Sequence, residues 1–179
     1  MSKNIVVLSG SPRKEGNTSI LAAAFVKGAK SAGKNVTMFW VADMKIGGCK
    51  GCRHCFKEKG ICAQKDDMPP VLEALKTADA IVFASPVYYF DMSAQLKLAI
   101  DRTYALLSVG TPIKKAAFLM TCGDDSEKVA EGAVVTYNNI CAYSKWEDAG
   151  VIIATGLSKP GKIEGRAELE KAKQLGMEI

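Results

Sequence analysis

Five short apolar, β-branched runs recur along the chain, IVVLS (5–9), VTMFWV (36–41), AIVFAS (80–85), AAFLMTC (116–122) and GVIIAT (150–155), each followed by a stretch of helical periodicity. Few architectures accommodate that alternation. Runs that are apolar on both faces belong to a parallel sheet, because crossover helices cover it on both sides. The helical patterns fall at about 17–32, 70–77, 93–107, 126–143 and 164–178. In the third, Leu96, Ile100, Thr103 and Leu107 recur every three or four residues and define one buried stripe.

Right-handed crossovers convert five such βα units into a doubly wound sheet. Its five-stranded version is flavodoxin-like, with strand order 2-1-3-4-5, so ligand is expected where the order reverses, at the carboxyl ends of strands 1 and 3. A chain of 179 residues with 48% hydrophobic content supports one well-cored domain, and no linker or repeat divides it. We therefore expect a single domain over 1–179 with a cysteine-rich loop at 48–66. No window approaches eighteen uncharged apolar residues and no leader pattern stands at the start, so a cytoplasmic protein without membrane contact is expected. The net charge of +5 is spread along the chain without a basic block or interleaved aromatics, which argues against a nucleic-acid partner.

Both expected ligand edges carry unusual loops. After strand 1 comes SGSPRKEGNTS (9–19), where Gly10 and Gly16 permit tight turns and Ser9, Ser11, Thr18 and Ser19 supply hydroxyls. Arg13 offers a fork for phosphate oxygens, and Asn17 or Thr18 can cap a helix whose free amides face the anion. A nucleotide-triphosphate loop of the form G-x-x-x-x-G-K-[ST] does not fit, because Gly10 and Gly16 are one residue too far apart and Asn17 stands in place of the lysine. The dinucleotide fingerprint G-x-G-x-x-G is absent, although Asp43 follows strand 2 where a ribose-binding acid would be sought. After strand 3, Pro86 is expected to break the strand, and Val87, Tyr88, Tyr89 and Phe90 set apolar and aromatic surface beside the phosphate loop. Core capping or a subunit interface is the competing use of those aromatics. A third loop, Thr121, Cys122 and Gly123, offers backbone amides on the same edge. Phosphate at one end and a stacking wall at the other point to flavin mononucleotide, FMN.

Six cysteines in a reducing compartment indicate metal ligation, redox chemistry or burial rather than disulfides. Four of them, Cys49, Cys52, Cys55 and Cys62, lie within fourteen positions, flanked by Lys45, Lys50, Arg53, Lys57, Lys59 and Lys65 with Glu58 as the only acid from 44 to 65. Cys122 and Cys141 read as buried, inert thiols, and His54 as an exposed loop side chain.

Together, SGSPRKEGNT, SPVYYFDMSAQLKLAIDR and the C-x2-C-x2-C-x6-C run resemble the iron-sulfur flavoprotein branch of the NAD(P)H-dependent FMN reductases over most of the chain. The resemblance implies FMN phosphate at Ser9, Ser11, Arg13, Asn17 and Thr18, a second flavin loop at Pro86 to Phe90 and a third at Thr121 to Gly123. It implies a homodimer or homotetramer, NAD(P)H as reductant, an unidentified electron acceptor and a 4Fe-4S cluster on Cys49, Cys52, Cys55 and Cys62. Asp124 and Asp125 depart from the pattern and disfavour the extra phosphate of NADPH. Three cysteines at intervals of three wrap a short loop round a cluster and the fourth closes it, with Gly48, Gly51 and Gly60 easing the turns. The basic residues offset the cluster's negative charge and raise its potential. Zinc or unligated thiols remain as alternatives, and so does a non-enzymatic electron carrier or redox sensor.

Overall fold

The computed structural model describes residues 2–179. Strands β1 (Asn4–Ser9), β2 (Asn35–Trp40), β3 (Ala80–Tyr88), β5 (Lys115–Thr121) and β6 (Glu147–Ala154) form a parallel sheet in the order β2-β1-β3-β5-β6. A two-residue strand, β4 (Asp91–Met92), folds back antiparallel on the end of β3. With this extra strand left out of the numbering, the arrangement is the expected flavodoxin-like order, reversing at β1.

Helices α1 (Asn17–Ser31) and α6 (Ala167–Glu178) lie together on one face of the sheet, while α3 (Met68–Lys76), α4 (Ala94–Arg102) and α5 (Glu131–Ser144) supply the other core. The period-2 geometry of a strand divides the apolar runs between two cores. Ile5, Val7, Val82, Ala84, Ala117 and Leu119 pack with Leu21 and Phe25 of α1. Val6, Leu8, Ile81, Phe83, Phe118 and Met120 pack with Leu72, Leu75, Leu96 and Tyr137. Within the second core, Phe83 meets Phe118 and Tyr137 edge to face, each at 6.2 Å between ring centres. The Tyr137 hydroxyl donates to Asp148 at 2.7 Å, and burial with this carboxylate pushes its pKa far up. Among the described residues, no helix is long and apolar enough to cross a membrane.

Three local expectations need correction. Pro86 does not end β3, which continues to Tyr88. The Ala84 carbonyl accepts from Gly10, so the same edge two residues later faces the side where β1 has already turned away, and the amide that Pro86 lacks has no partner to lose. The helix expected to 107 tightens into a 3-10 segment, Thr103–Ser108. The tighter pitch turns Leu107 outward and Leu106 inward, so the predicted stripe holds for Leu96 and Ile100 and fails at Leu107. His54 is not in an open loop but heads a one-turn helix, α2 (His54–Lys57), and is half-buried.

Phe83→Ala removes the ring shared by two aromatic contacts and is expected to lower stability by about 3 to 5 kcal/mol, with the loss read from urea unfolding of the flavin-free protein.

Candidate functional site

The carboxyl ends of β1, β3 and β5 bring the three predicted loops to one edge. Gly10 lies where the first meets α4: its amide donates to Ala84 O at 2.8 Å and its carbonyl accepts from Ser93 Oγ at 2.8 Å. A side chain has no room there, since a Cβ on Gly10 would stand 2.6 Å from that of Leu96 and overlap Ser93 Oγ. Ser93 also caps α4, and its amide donates to Ser85 Oγ at 2.8 Å. Ser85 and Ser93 are fully buried. Neither stood out in the sequence, because each acts through loops distant in the chain.

The phosphate-loop candidate folds around one carbonyl. Arg13 O accepts from Gly16 N at 3.0 Å, Ser11 Oγ at 3.1 Å and Ser19 Oγ at 2.8 Å. The Arg13 side chain is left exposed at the rim. Contrary to expectation, neither Asn17 nor Thr18 caps α1. The cap is Gly16, and among the described residues no side chain takes up the amides of the first turn. Those amides, with Arg13 beside them, form a positive end suited to an anion. Asn17 turns its amide group the other way, donating to Leu157 O at 3.2 Å and Lys159 O at 2.9 Å and accepting from Ile163 N at 3.3 Å. Thr18 shares a buried hydrogen bond of 2.6 Å with Thr121, joining the first loop to the third. Ser9 is buried at the end of β1, and its hydroxyl has no partner among the described residues. Asp43 pairs with Lys14 at 2.9 Å on the surface.

The second loop is a tight hairpin. Val87 pairs with Met92 and Tyr88 with Asp91, leaving Tyr89 and Phe90 as the two turn residues at φ 47° and 67°. Positive φ at both positions is the geometry that glycine and asparagine normally supply, and bulky residues there carry strain on the order of 1 to 3 kcal/mol each. Their rings project outward, Tyr89 at 99% and Phe90 at 64% exposure. The turn is braced by α5, whose Gly132 lies so close to Phe90 O that a Cβ would stand 2.5 Å away, and by Thr136 Oγ1 near Asp91 Oδ2 at 3.4 Å. In the third loop, Cys122 is buried, its thiol directed at Asp124 O and Ala154 O and its pKa pushed up by burial. Gly123 is exposed and leaves backbone to offer. Cys141 is likewise buried, with its pKa pushed up by burial.

The cysteine loop leaves β2, returns at α3 and is basic throughout. Cys49 and Cys52 are exposed, Cys62 is half-buried and Cys55 is buried on α2. Positive φ at Gly51, Arg53, Lys59 and Gly60 curls the chain. Burial raises the Cys55 pKa, and Cys62, Cys49 and Cys52 are close enough to raise it further. Among the described residues, no three His, Cys, Asp or Glu side chains converge as a group able to hold a metal ion. The donor set is that of an iron-sulfur or zinc site, but the loop does not present it assembled. A groove of about 1130 Å³ opens beside the loop, bordered by Cys49, Arg53, Tyr104 and Tyr143, and includes no residue from Ser9 to Ser19.

The family model described as NADPH-dependent FMN reductase matches residues 3–138. The chain belongs to that family. It is 33% identical to an iron-sulfur flavoprotein of Archaeoglobus fulgidus over 97% of this chain and 77% of that one. An iron-sulfur flavoprotein of Methanocaldococcus jannaschii is 39% identical over 57% of this chain and 52% of the relative, so that match spans about half the relative's length. Among solved structures, the NAD(P)H:quinone oxidoreductase of Methanothermobacter marburgensis superposes with a TM-score of 0.75 at 22% identity, covering 99% of this chain and 96% of that one, a likeness of fold. The chain is an FMN-dependent oxidoreductase by family.

Thr18→Val leaves the buried Thr121 hydroxyl without a partner and is expected to cost about 1 to 3 kcal/mol. The double variant T18V/T121V recovers most of that loss, a sign reversal that a thermodynamic cycle from urea unfolding measures directly.

Proposed function

We propose that this reductase binds FMN with its phosphate on the loop from Ser9 to Thr18. Its reductant is a nicotinamide nucleotide, and Cys49, Cys52, Cys55 and Cys62 would hold a 4Fe-4S cluster that, when bound, would supply one-electron transfer to an electron acceptor. The observation that carries the FMN placement is the uncapped start of α1 beside Arg13, at the point where the strand order reverses. Arg13 supplies the charge-assisted hydrogen bonds, the amides of Asn17 and Thr18 supply the dipole, and Ser11 keeps the loop in shape. Ser9 and Thr18 lie beneath this surface, and Asn17 contributes through its backbone. Tyr88, Tyr89 and Phe90, on a turn held in place by Gly132, flank the ring end with Pro86 and Val87. The Thr121 to Gly123 backbone closes the third side. FMN, when bound, accepts hydride and can give up electrons singly. The chain's own part is to bind, orient and keep water off the ring, and no side chain is required as acid or base.

For the cysteines, the donor set, the curled basic loop and the names of the relatives support a cluster. Lys45, Lys50, Arg53, Lys57, Lys59 and Lys65 would offset the negative charge of a thiolate-bound centre. A second reading, a flavin reductase whose thiols stay unligated, is favoured by the lack of a converged donor group among the described residues, and zinc would need the same convergence as a cluster. Association into a homodimer or homotetramer also belongs to the proposal, supported by exposed Phe56, Ile61, Tyr104 and Leu107 around the cysteine loop. Asp124 and Asp125 add negative charge beside the third loop, and the reductant is NADH or NADPH.

Arg13→Ala should weaken FMN binding by about 10- to 100-fold, the loss of one charge-assisted interaction, as read by flavin fluorescence quenching. An unchanged affinity would remove the phosphate assignment. Anaerobic protein reconstituted with iron and sulfide should hold close to four irons per chain, and Cys55→Ser should lower that count with flavin content unchanged. Full flavin with negligible iron in the reconstituted parent would leave the second reading.

A further inference from the structure

The family match ends at residue 138, and the connection between β6 and α6 lies beyond it. That connection is anchored rather than slack. Leu157 and Ile163 are buried in the core shared by α1 and α6. Between these anchors, Ser158, Lys159 and Lys162 are exposed.

The segment is fixed to two of the three loops of the ligand edge. Against the third loop, Leu157 N donates to Cys122 O at 2.8 Å and Gly156 N to Asp124 O at 2.7 Å. Ser158 lies over Gly123, where a Cβ would stand 3.6 Å from Ser158 Cα. Against the first loop, the hydrogen bonds among the described residues all come from one side chain. Asn17 Nδ2 donates to Leu157 O at 3.2 Å and to Lys159 O at 2.9 Å, and Asn17 Oδ1 accepts from Ile163 N at 3.3 Å. A side-chain amide has two N–H donors, so both are taken, and a phosphate could draw on them only by releasing the segment.

Asn17 is also the first residue of α1, so the segment it holds stands beside the amides that Gly16 leaves without a side-chain cap. Lys159 begins one hydrogen bond away from that turn, and its flexible four-carbon stem can carry the ammonium over it. Among the described residues, neither Lys159 nor Lys162 is in an ion pair. Ser9 Oγ, buried and unpartnered at the end of β1, is an independent sign that this edge is built around a ligand.

We propose that residues 157–163 form a fourth wall of the flavin site, that Asn17 is the positioning residue that seats it, and that Lys159 and Lys162 strengthen its preference for a phosphate-bearing flavin over riboflavin. This rests on the phosphate placement given above. It assigns the Asn17 side chain to a segment some 140 positions away instead of to the phosphate.

The test titrates flavin-free, full-length protein with FMN and with riboflavin, and the ratio of the two dissociation constants isolates what the phosphate contributes. In the surface variant K159M/K162M the preference for FMN should fall about tenfold, with riboflavin affinity equal to that of the parent. Asn17→Ala should show a similar fall, together with faster hydrogen exchange at the Ile163 amide, which loses its acceptor. A purely structural role for Asn17 would weaken both flavins alike and keep the ratio. Arg13→Ala separates the two levels of the reading. If it keeps the parent's ratio, the phosphate placement falls, and this inference with it. If it lowers the ratio while either Asn17→Ala or K159M/K162M keeps it, the fourth wall alone is overturned.

Discussion

The close approach of Gly10 to the start of α4 is the constraint on which the ligand edge depends. Its amide continues the hydrogen bonding of β1 onto β3, and its carbonyl receives the Ser93 hydroxyl, so the turn after β1 is anchored to β3 and α4 at once. Ser93 is in turn held by Ser85. Any side chain at position 10 would enter space that Ser93 and Leu96 occupy. With the turn pinned there, the chain can rise over the sheet edge and start α1 with its amides facing outward, and the Arg13 carbonyl can gather Ser11, Gly16 and Ser19 into a rigid loop. The third loop is tied in through the Thr18–Thr121 hydrogen bond, so the three loops form one body rather than three independent excursions.

Against that rigid base, the second loop stores strain. Tyr89 and Phe90 occupy a conformation that glycine adopts at no steric cost, and the contact with Gly132 of α5 leaves the turn little freedom to relax. Strain of this kind persists only where the surroundings over-determine it. Here the surroundings are a two-residue ladder on one side and a helix packed against the turn's carbonyl on the other. The result is a pair of aromatic rings presented outward at the edge where the Ser9 to Ser19 loop lies. The cysteine loop follows a different logic, since it has few apolar anchors and is held at its neck by a buried ion pair, with curled backbone between.

Much of the architecture was legible because period-2 and period-3.6 patterns are local and repeat. The five runs mark the five main strands to within a few residues, and the reversal at β1 is the one expected of the five-stranded flavodoxin-like sheet. The misses have local physical causes. Pro86 breaks a strand only when its missing amide has a partner to lose, and here β1 has already ended. The stripe to Leu107 assumed one helical pitch, whereas the chain tightens at Thr103. Of the loop residues, Arg13 stands exposed at the rim, while Asn17 faces the 157–163 segment, a direction set by a partner some 140 positions away.

What the sequence determined alone is the inventory and its rough order: an alternating α/β chain, a loop dense in anion-binding groups after the first strand, aromatics after the third and four clustered thiols among basic residues. These follow from composition and spacing, which act between neighbours along the chain. What the tertiary structure decided is which of those groups are free to act. It engaged Thr18 with Thr121, turned Asn17 away, left the start of α1 without a side-chain cap and buried Arg102 against the cysteine loop, its Nε–H without a partner among the described residues. The reason is that a polar group's availability depends on every partner within hydrogen-bonding reach, and most of those partners are brought there by packing of distant segments rather than by sequence.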